Sequence, residues 1–202
     1  MTAALVVVCT LVGLVVGALL PVVIDRVPEK VPVLAGPFPE PGRSLRTGSG
    51  WFVTVLTAAL FGATAARFGA DWVLPAYLVL VGALVALSVI DLRLFLLPNR
   101  IVFPLAGVSV VLLGLGALAE GEPGWYGRAL LGAVVSFVVF ALLHIVSPRS
   151  MGFGDVKLAF VLGLILTGLR TRKDHVPFGP FLAAGTVTAI LVGEVVLDWW
   201  AR

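Results

Sequence analysis

The chain is poor in charge. Only 12% of its 202 residues are Asp, Glu, Lys or Arg, about half the share usual in a globular domain, and a water-soluble fold is excluded. Cysteine is almost missing: Cys9 stands alone inside an apolar run, so neither an internal disulfide nor a thiolate metal cluster can form. The only histidines are His144 and His175, which leaves no metal-ligand spacing and no Ser/His/Asp arrangement for nucleophilic hydrolysis. No metal and no cofactor is therefore expected. The first residues lack a basic segment and a small-x-small cleavage signal leading into a polar chain, so they read as a retained span.

What is present is hydrocarbon. Hydrophobic residues make up 60% of the chain and the mean hydropathy is +1.12. Apolar runs cover residues 1–24, Trp51–Ala66, Trp72–Ile90, Ile101–Leu118, Ala129–Val146, Val156–Leu169 and Val176–Leu197, most of them near the roughly 17–25 residues that cross a bilayer as a helix. The fold class expected is all-α, a polytopic transmembrane bundle of about seven helices. The run at 156–169 is short enough to turn back as a re-entrant segment. Short connections rich in Gly, Pro and charge favour antiparallel neighbours, and Gly13 and Gly17 suit close helix packing. Residues 25–50 carry Pro28, Pro32, Pro37, Pro39 and Pro41, a composition that cannot propagate a helix. The chain thus divides into a first span (1–24), a Pro-rich loop (25–50) and a membrane core (51–202).

The net charge of +3 is spread over short segments between apolar runs, a pattern that orients a membrane protein and does not make a nucleic-acid surface. If each run crosses once, the side of the Pro-rich loop holds Arg26, Lys30, Arg43, Arg46, Arg93, Arg100, Arg149, Lys157 and Arg202, against Arg67, Arg128, Arg170, Arg172 and Lys173 opposite. The positive-inside rule makes the Pro-rich loop cytoplasmic. Arg170, Arg172 and Lys173 are discordant; they suit a topology signal or contact with anionic membrane lipids.

Two acids stand at the edges of apolar runs, where a carboxylate is costly and needs a reason. Asp91 closes YLVLVGALVALSVI, and Asp155 stands in MGFGDVKLAFVLG at the head of another run. Two runs lie between them, so parity returns both to one side. A pair of facing carboxylates shares a proton, one acting as base on a water and the other as acid toward a carbonyl; the bland alternative is a solvated interfacial charge at each. Gly152 and Gly154 before Asp155 suggest a turn with positive φ that presents the acid from a helix N-terminus. Asp25 and Glu194 also lie near span ends, without such a turn.

At these residues the chain resembles the type IV leader peptidases, or prepilin peptidases, bacterial inner-membrane aspartic proteases with a GxGD motif. ALSVIDLRLFLLPNRIV resembles their first catalytic segment, through Asp91, Pro98 and Asn99. SMGFGDVKLAFVLG resembles the second, through Gly152, Gly154, Asp155 and Lys157. LTAALFGATAARFG and VPFGPFLAAG agree as flanking stretches, and the opening GLVVGALLPVVIDRVP keeps Gly13, Gly17, Ile24, Arg26 and Pro28.

The resemblance implies an endopeptidase that removes the short basic leader of a prepilin or pilin-like precursor at the cytoplasmic face. Asp91 and Asp155 would be catalytic, with Gly152, Gly154, Lys157, Pro98 and Asn99 supporting them. The departures argue against the methyl transfer some members also perform with S-adenosylmethionine: Ala18 and Pro21 replace polar residues, Trp51 to Thr54 lack a Glu, and the first loop lacks the two CxxC pairs of many members. The rivals are a non-catalytic transporter or assembly scaffold whose acids relay protons, and a GxGD protease of other membrane substrates. Among the remaining residues, Lys157 suits stabilising an aspartate, contacting substrate or anchoring at the interface; Pro98 and Asn99 suit ending the catalytic helix; His144 reads as a buried structural histidine.

Overall fold

A computed structural model describes residues 2–28, 49–94, 96–146 and 152–168. The greater part of the Pro-rich loop, the run at 176–197, His175 and the cluster Arg170, Arg172 and Lys173 lie outside the described residues. Among the described residues the fold is all-helical: α1 (Thr2–Arg26), α2 (Ser49–Phe68), α3 (Leu74–Leu94), α4 (Asn99–Glu120), α5 (Pro123–Val146) and α6 (Phe153–Thr167). The first five are long and apolar enough to cross a membrane, so the chain is a multi-pass membrane protein. Helix α6 has 15 residues.

The apolar runs become helices with shifted ends, and the shifts have local causes. Helix α1 carries on through Asp25 and Arg26, which the sequence assigned to the loop; a basic residue in the last turn suits the helix dipole. Helix α2 ends before Gly69, whose φ of 62° is open to glycine at little steric cost. Helix α4 ends in a Schellman turn. There Gly121 has φ 69°, its N–H reaches Leu118 O at 3.2 Å, and the N–H of Glu122 reaches Ala117 O at 3.1 Å. Helix α5 starts at Pro123 rather than Ala129, because proline is preset for the first helical position, where its missing N–H costs nothing.

Packing between helices in lipid depends on close approach rather than on burial from water. Helices α1 and α2 meet at glycine: a Cβ on Gly13 would lie 2.8 Å from Ala58 Cα, and one on Gly17 2.8 Å from Thr54 Cα. Thr57, fully buried at this seam, donates to Val53 O at 2.7 Å, so its hydroxyl is satisfied within its own helix. Leu20 and Ile24 of α1 cluster with Val53 of α2 and with Val85, Ala86 and Ile90 of α3. Helix α4 packs on α3 on one side and on α5 and α6 on the other. The α5–α6 seam is equally tight, since a Cβ on Gly163 would lie 2.5 Å from Gly132 O. The Thr167 hydroxyl ends that seam, 2.6 Å from Gly163 O and 3.3 Å from Ala129 O. The outer surface carries exposed Val7, Leu11, Val15, Leu131, Val135 and Leu142, as a lipid-facing belt requires.

Successive helices alternate in direction, so one end of the bundle gathers the C-termini of α1, α3 and α5 and the N-termini of α2, α4 and α6. Polar and aromatic contacts cross it. Arg93 of α3 pairs with Asp25 of α1 at 3.4 Å, Lys157 of α6 donates to Asn99 of α4 at 2.8 Å, and the His144 ring of α5 lies 5.6 Å from that of Phe153 on α6.

Candidate active site

Asp91 lies in the last turn of α3 and is exposed; Asp155 lies in the first turn of α6 and is partly buried. Both belong to the end of the bundle just described. No hydrogen bond joins the two carboxylates. They are related through α4, which packs against both parent helices and follows α3 after the short segment 95–98. Arg93 reaches α1 through Asp25, both side chains about half exposed (48% and 53%). Two residues turn a helix by about 200°, so Asp91 points to another side than Arg93.

Asp155 is held by its own helix start. Gly152 is the N-cap, with φ −70° and ψ 148°; its carbonyl accepts the Asp155 N–H at 3.1 Å, and its N–H donates to Asp155 Oδ2 at 3.0 Å. This is the side-chain half of a capping box, an acid three residues into the helix reaching back to the cap N–H. The positive φ expected of the Gly-x-Gly-Asp turn does not occur: Gly152 is extended with negative φ and Gly154 is helical. The glycines supply room. A Cβ on Gly154 would lie 2.8 Å from the Leu97 Cβ and 3.4 Å from its carbonyl oxygen, and one on Gly152 would lie 3.3 Å from Asp155 Oδ2. The helix that carries Asp155 therefore abuts the segment leading out of the helix that carries Asp91.

Pro98 and Asn99 do not end the first helix, which stops at Leu94; they begin the next. Pro98 is the N-cap of α4, with φ −66° and ψ 124°, and its carbonyl accepts the N–H of Ile101 at 2.9 Å and of Val102 at 3.2 Å. Proline's ring fixes the φ such a start needs. Asn99, the first residue of α4, turns its amide oxygen to Lys157.

Lys157 has surroundings that the sequence reading did not identify. Its ammonium lies 4.7 Å from the centre of the Phe103 ring and 4.6 Å from that of Phe153, while Nζ donates to Asn99 Oδ1. Each such ring contact is worth about 0.5–1 kcal/mol at an exposed site. Phe103 and Phe153 were missed, although a signal existed: Phe103 follows Asn99 by four residues and Phe153 precedes Lys157 by four, the spacing that sets side chains on one helix face. His144 is half-buried beside Phe153, not enclosed in the core.

Comparison with known proteins places the chain in a wider group. The type IV leader peptidase family matches residues 78–193. Similar proteins include three named prepilin leader peptidase/N-methyltransferase. That of Bacillus subtilis (strain 168) is 28% identical over 173 residues, covering 73% of this chain and 68% of the relative. That of Pseudomonas aeruginosa is 31% identical over 170 residues, 71% of this chain and 58% of the relative. That of Aeromonas hydrophila is 30% identical over 178 residues, 73% of this chain and 60% of the relative. No solved structure matches the chain.

Proposed function

Because the chain belongs to the type IV leader peptidase family, we propose that it is a membrane aspartic endopeptidase that removes the leader of a prepilin or pilin-like precursor, with Asp91 and Asp155 as its catalytic pair. The observation that carries the reading is that Asp91 and Asp155, on helices not consecutive in the chain, lie at one end of a bundle of apolar helices, in the two segments that resemble the family's catalytic ones. A polar site of this kind in a lipid-embedded protein is a functional hypothesis by default.

In this reaction one carboxylate takes a proton from a water, whose oxygen bonds to the scissile carbonyl carbon. The other, protonated, gives its proton to the carbonyl oxygen. Collapse of the tetrahedral gem-diol breaks the C–N bond: the new amine leaves with a proton from the first aspartic acid, while the second carboxylate takes a proton from a diol hydroxyl, which forms the new carboxyl group and restores the pair. The cap N–H of Gly152 fixes the Asp155 carboxylate through one oxygen, which leaves Oδ1 to work on the water or the substrate. The excess of Lys and Arg on this side favours a cytoplasmic site in a bacterial inner membrane.

The proposal is confined to peptide cleavage. Methyl transfer with S-adenosylmethionine lies outside the proposal, because Ala18 and Pro21 stand where the family's opening has polar residues and Trp51 to Thr54 lack a Glu. Ala18 offers a methyl group, Pro21 is buried, and the Thr54 hydroxyl donates to Gly50 O at 3.1 Å. Trp51 and Phe52 turn apolar surface outward.

The test is co-expression with a pilin-like precursor, read as a mobility shift on a gel. Asp91→Asn and Asp155→Asn are each expected to abolish the shift while the protein still accumulates in the membrane. Processing at the normal rate by either variant refutes the pair.

A further inference from the structure

We infer that Lys157 is a positioning residue, whose caged ammonium sets the distance between the helices that carry the two aspartates. This rests on the reading of Asp91 and Asp155 as the catalytic pair and adds to it a part that neither acid supplies.

Lys157 is two residues from Asp155, and a lysine so close to a carboxylate would ordinarily be read as its counter-ion. The geometry assigns the charge elsewhere. The ammonium is taken up by the Asn99 amide oxygen at 2.8 Å and by the faces of Phe103 and Phe153 at 4.7 and 4.6 Å. Two of these three partners, Asn99 and Phe103, belong to α4, and Phe153 belongs to α6 with the lysine itself. The cage is therefore a clasp between two helix N-termini. An amide oxygen and ring faces attract a cation without neutralising it, so the clasp leaves the aspartates free of a bound cation from this side chain.

What the clasp governs follows from the order of the chain. Asn99 opens α4 only a few residues after α3 ends at Leu94, within one turn of Asp91. Lys157 and Asp155 share the opening turns of α6. Holding Asn99 to Lys157 fixes the spacing of the two acids together with the Gly154–Leu97 contact, made two residues before Asn99. Reacting groups need this support, since displacement by about 1 Å can cost about 100-fold in rate.

The test uses the full chain in proteoliposomes with a purified pilin-like precursor, with kcat and KM measured for Lys157→Met, Lys157→Arg, Asn99→Ala and the double variant Lys157→Met/Asn99→Ala. Lys157→Met and Asn99→Ala are each expected to lower kcat about tenfold or more with KM within about twofold, as misplacement predicts. The double variant should fall no further than the lower single, since both remove one clasp, and Lys157→Arg, which keeps the cation and its donors, should recover most of the rate. Lys157→Arg and Asn99→Ala keep the test decisive if Lys157→Met does not accumulate. A raised KM with kcat intact points to substrate contact and overturns the inference. So does a loss in Lys157→Met that Asn99→Ala does not share, or additive losses in the double variant. Full activity in Asp91→Asn or Asp155→Asn, by contrast, removes the catalytic reading itself, while wild-type kcat in Lys157→Met and Asn99→Ala beside inactive aspartate variants removes only the clasp.

Discussion

Adding one methyl group at Gly154 isolates close approach from every other property of the site. The Cβ of Gly154→Ala would lie 2.8 Å from Leu97 Cβ, whereas carbon atoms in contact rest near about 3.8 Å, so the two segments must part by about 1 Å. Leu97 cannot turn out of the way, because its Cβ is fixed to its backbone. Overpacking of this size costs about 1–3 kcal/mol, and the better helix propensity of alanine returns at most about 1 kcal/mol. A domain stable by about 5–15 kcal/mol stays folded under such a load. Catalysis is less tolerant: displacement of Asp155 by about 1 Å is expected to cost about 100-fold in kcat, equivalent to about 2.7 kcal/mol on the barrier. The assay is single-turnover cleavage in proteoliposomes with the melting temperature followed in parallel, so that lost activity and lost fold are separated. The reasoning also predicts its own rescue. In the Gly154→Ala background, Leu97→Gly removes the opposing Cβ and should restore most of the rate, whereas Leu97→Ala keeps that atom and should restore little. Wild-type cleavage by Gly154→Ala, or equal rescue by both partners, would refute the role assigned to the glycine.

Other outcomes follow from the same contacts. Asp155→Asn keeps an oxygen for the Gly152 N–H and is expected to melt within a degree or two of wild type while being inactive, whereas Asp155→Ala loses the cap contact and about 0.5–1 kcal/mol of stability; thermal melts of the two in one detergent check the difference. Gly13→Leu drives a side chain into the backbone of α2 at Ala58 and should sharply reduce the yield of folded protein, measured by fluorescence-detected size exclusion. Gly121→Ala forces φ 69° on a residue with a Cβ and should cost about 1 kcal/mol, with cleavage unchanged. Asp25→Asn breaks an ion pair with both partners half exposed, so its effect on melting should stay below about 0.5 kcal/mol and shrink as salt is added.

Much of the helix order was legible because charge and proline punctuate the runs: each of the six described helices falls on a run read from the sequence, displaced by a few residues. The displacements belong to capping, as at Pro123, which opens α5, and at Pro98, which opens α4 instead of closing α3. The Gly-x-Gly-Asp segment was legible as a helix start, but its glycines were misjudged. Negative φ at Gly152 and the narrow gap at Leu97 show that room, not backbone freedom, is what they provide. Sequence parity could bring Lys157 and Asn99 to one end, yet not to each other, since the pairing of helix faces depends on how α4 and α6 pack. For the same reason Phe103 and Phe153, each at helical spacing from a polar partner, passed as ordinary apolar residues.

The shortness of α6 has a consequence for the opposite leaflet. Its 15 residues rise about 22 Å, less than the roughly 30 Å of hydrocarbon they would have to cross. Thr167 ends it level with Ala129, which leaves the first six residues of α5, about 9 Å, rising past it. The final carbonyls of α6 thus lie beside the flank of α5, about 9 Å short of its start. One of them, Leu164 O, accepts the Gly168 N–H at 3.1 Å, while the Thr167 hydroxyl turns back one turn to Gly163 O. A rod shorter than its partner, meeting α5 at His144 and ending beside Ala129, makes the two ends of this helix pair unequal.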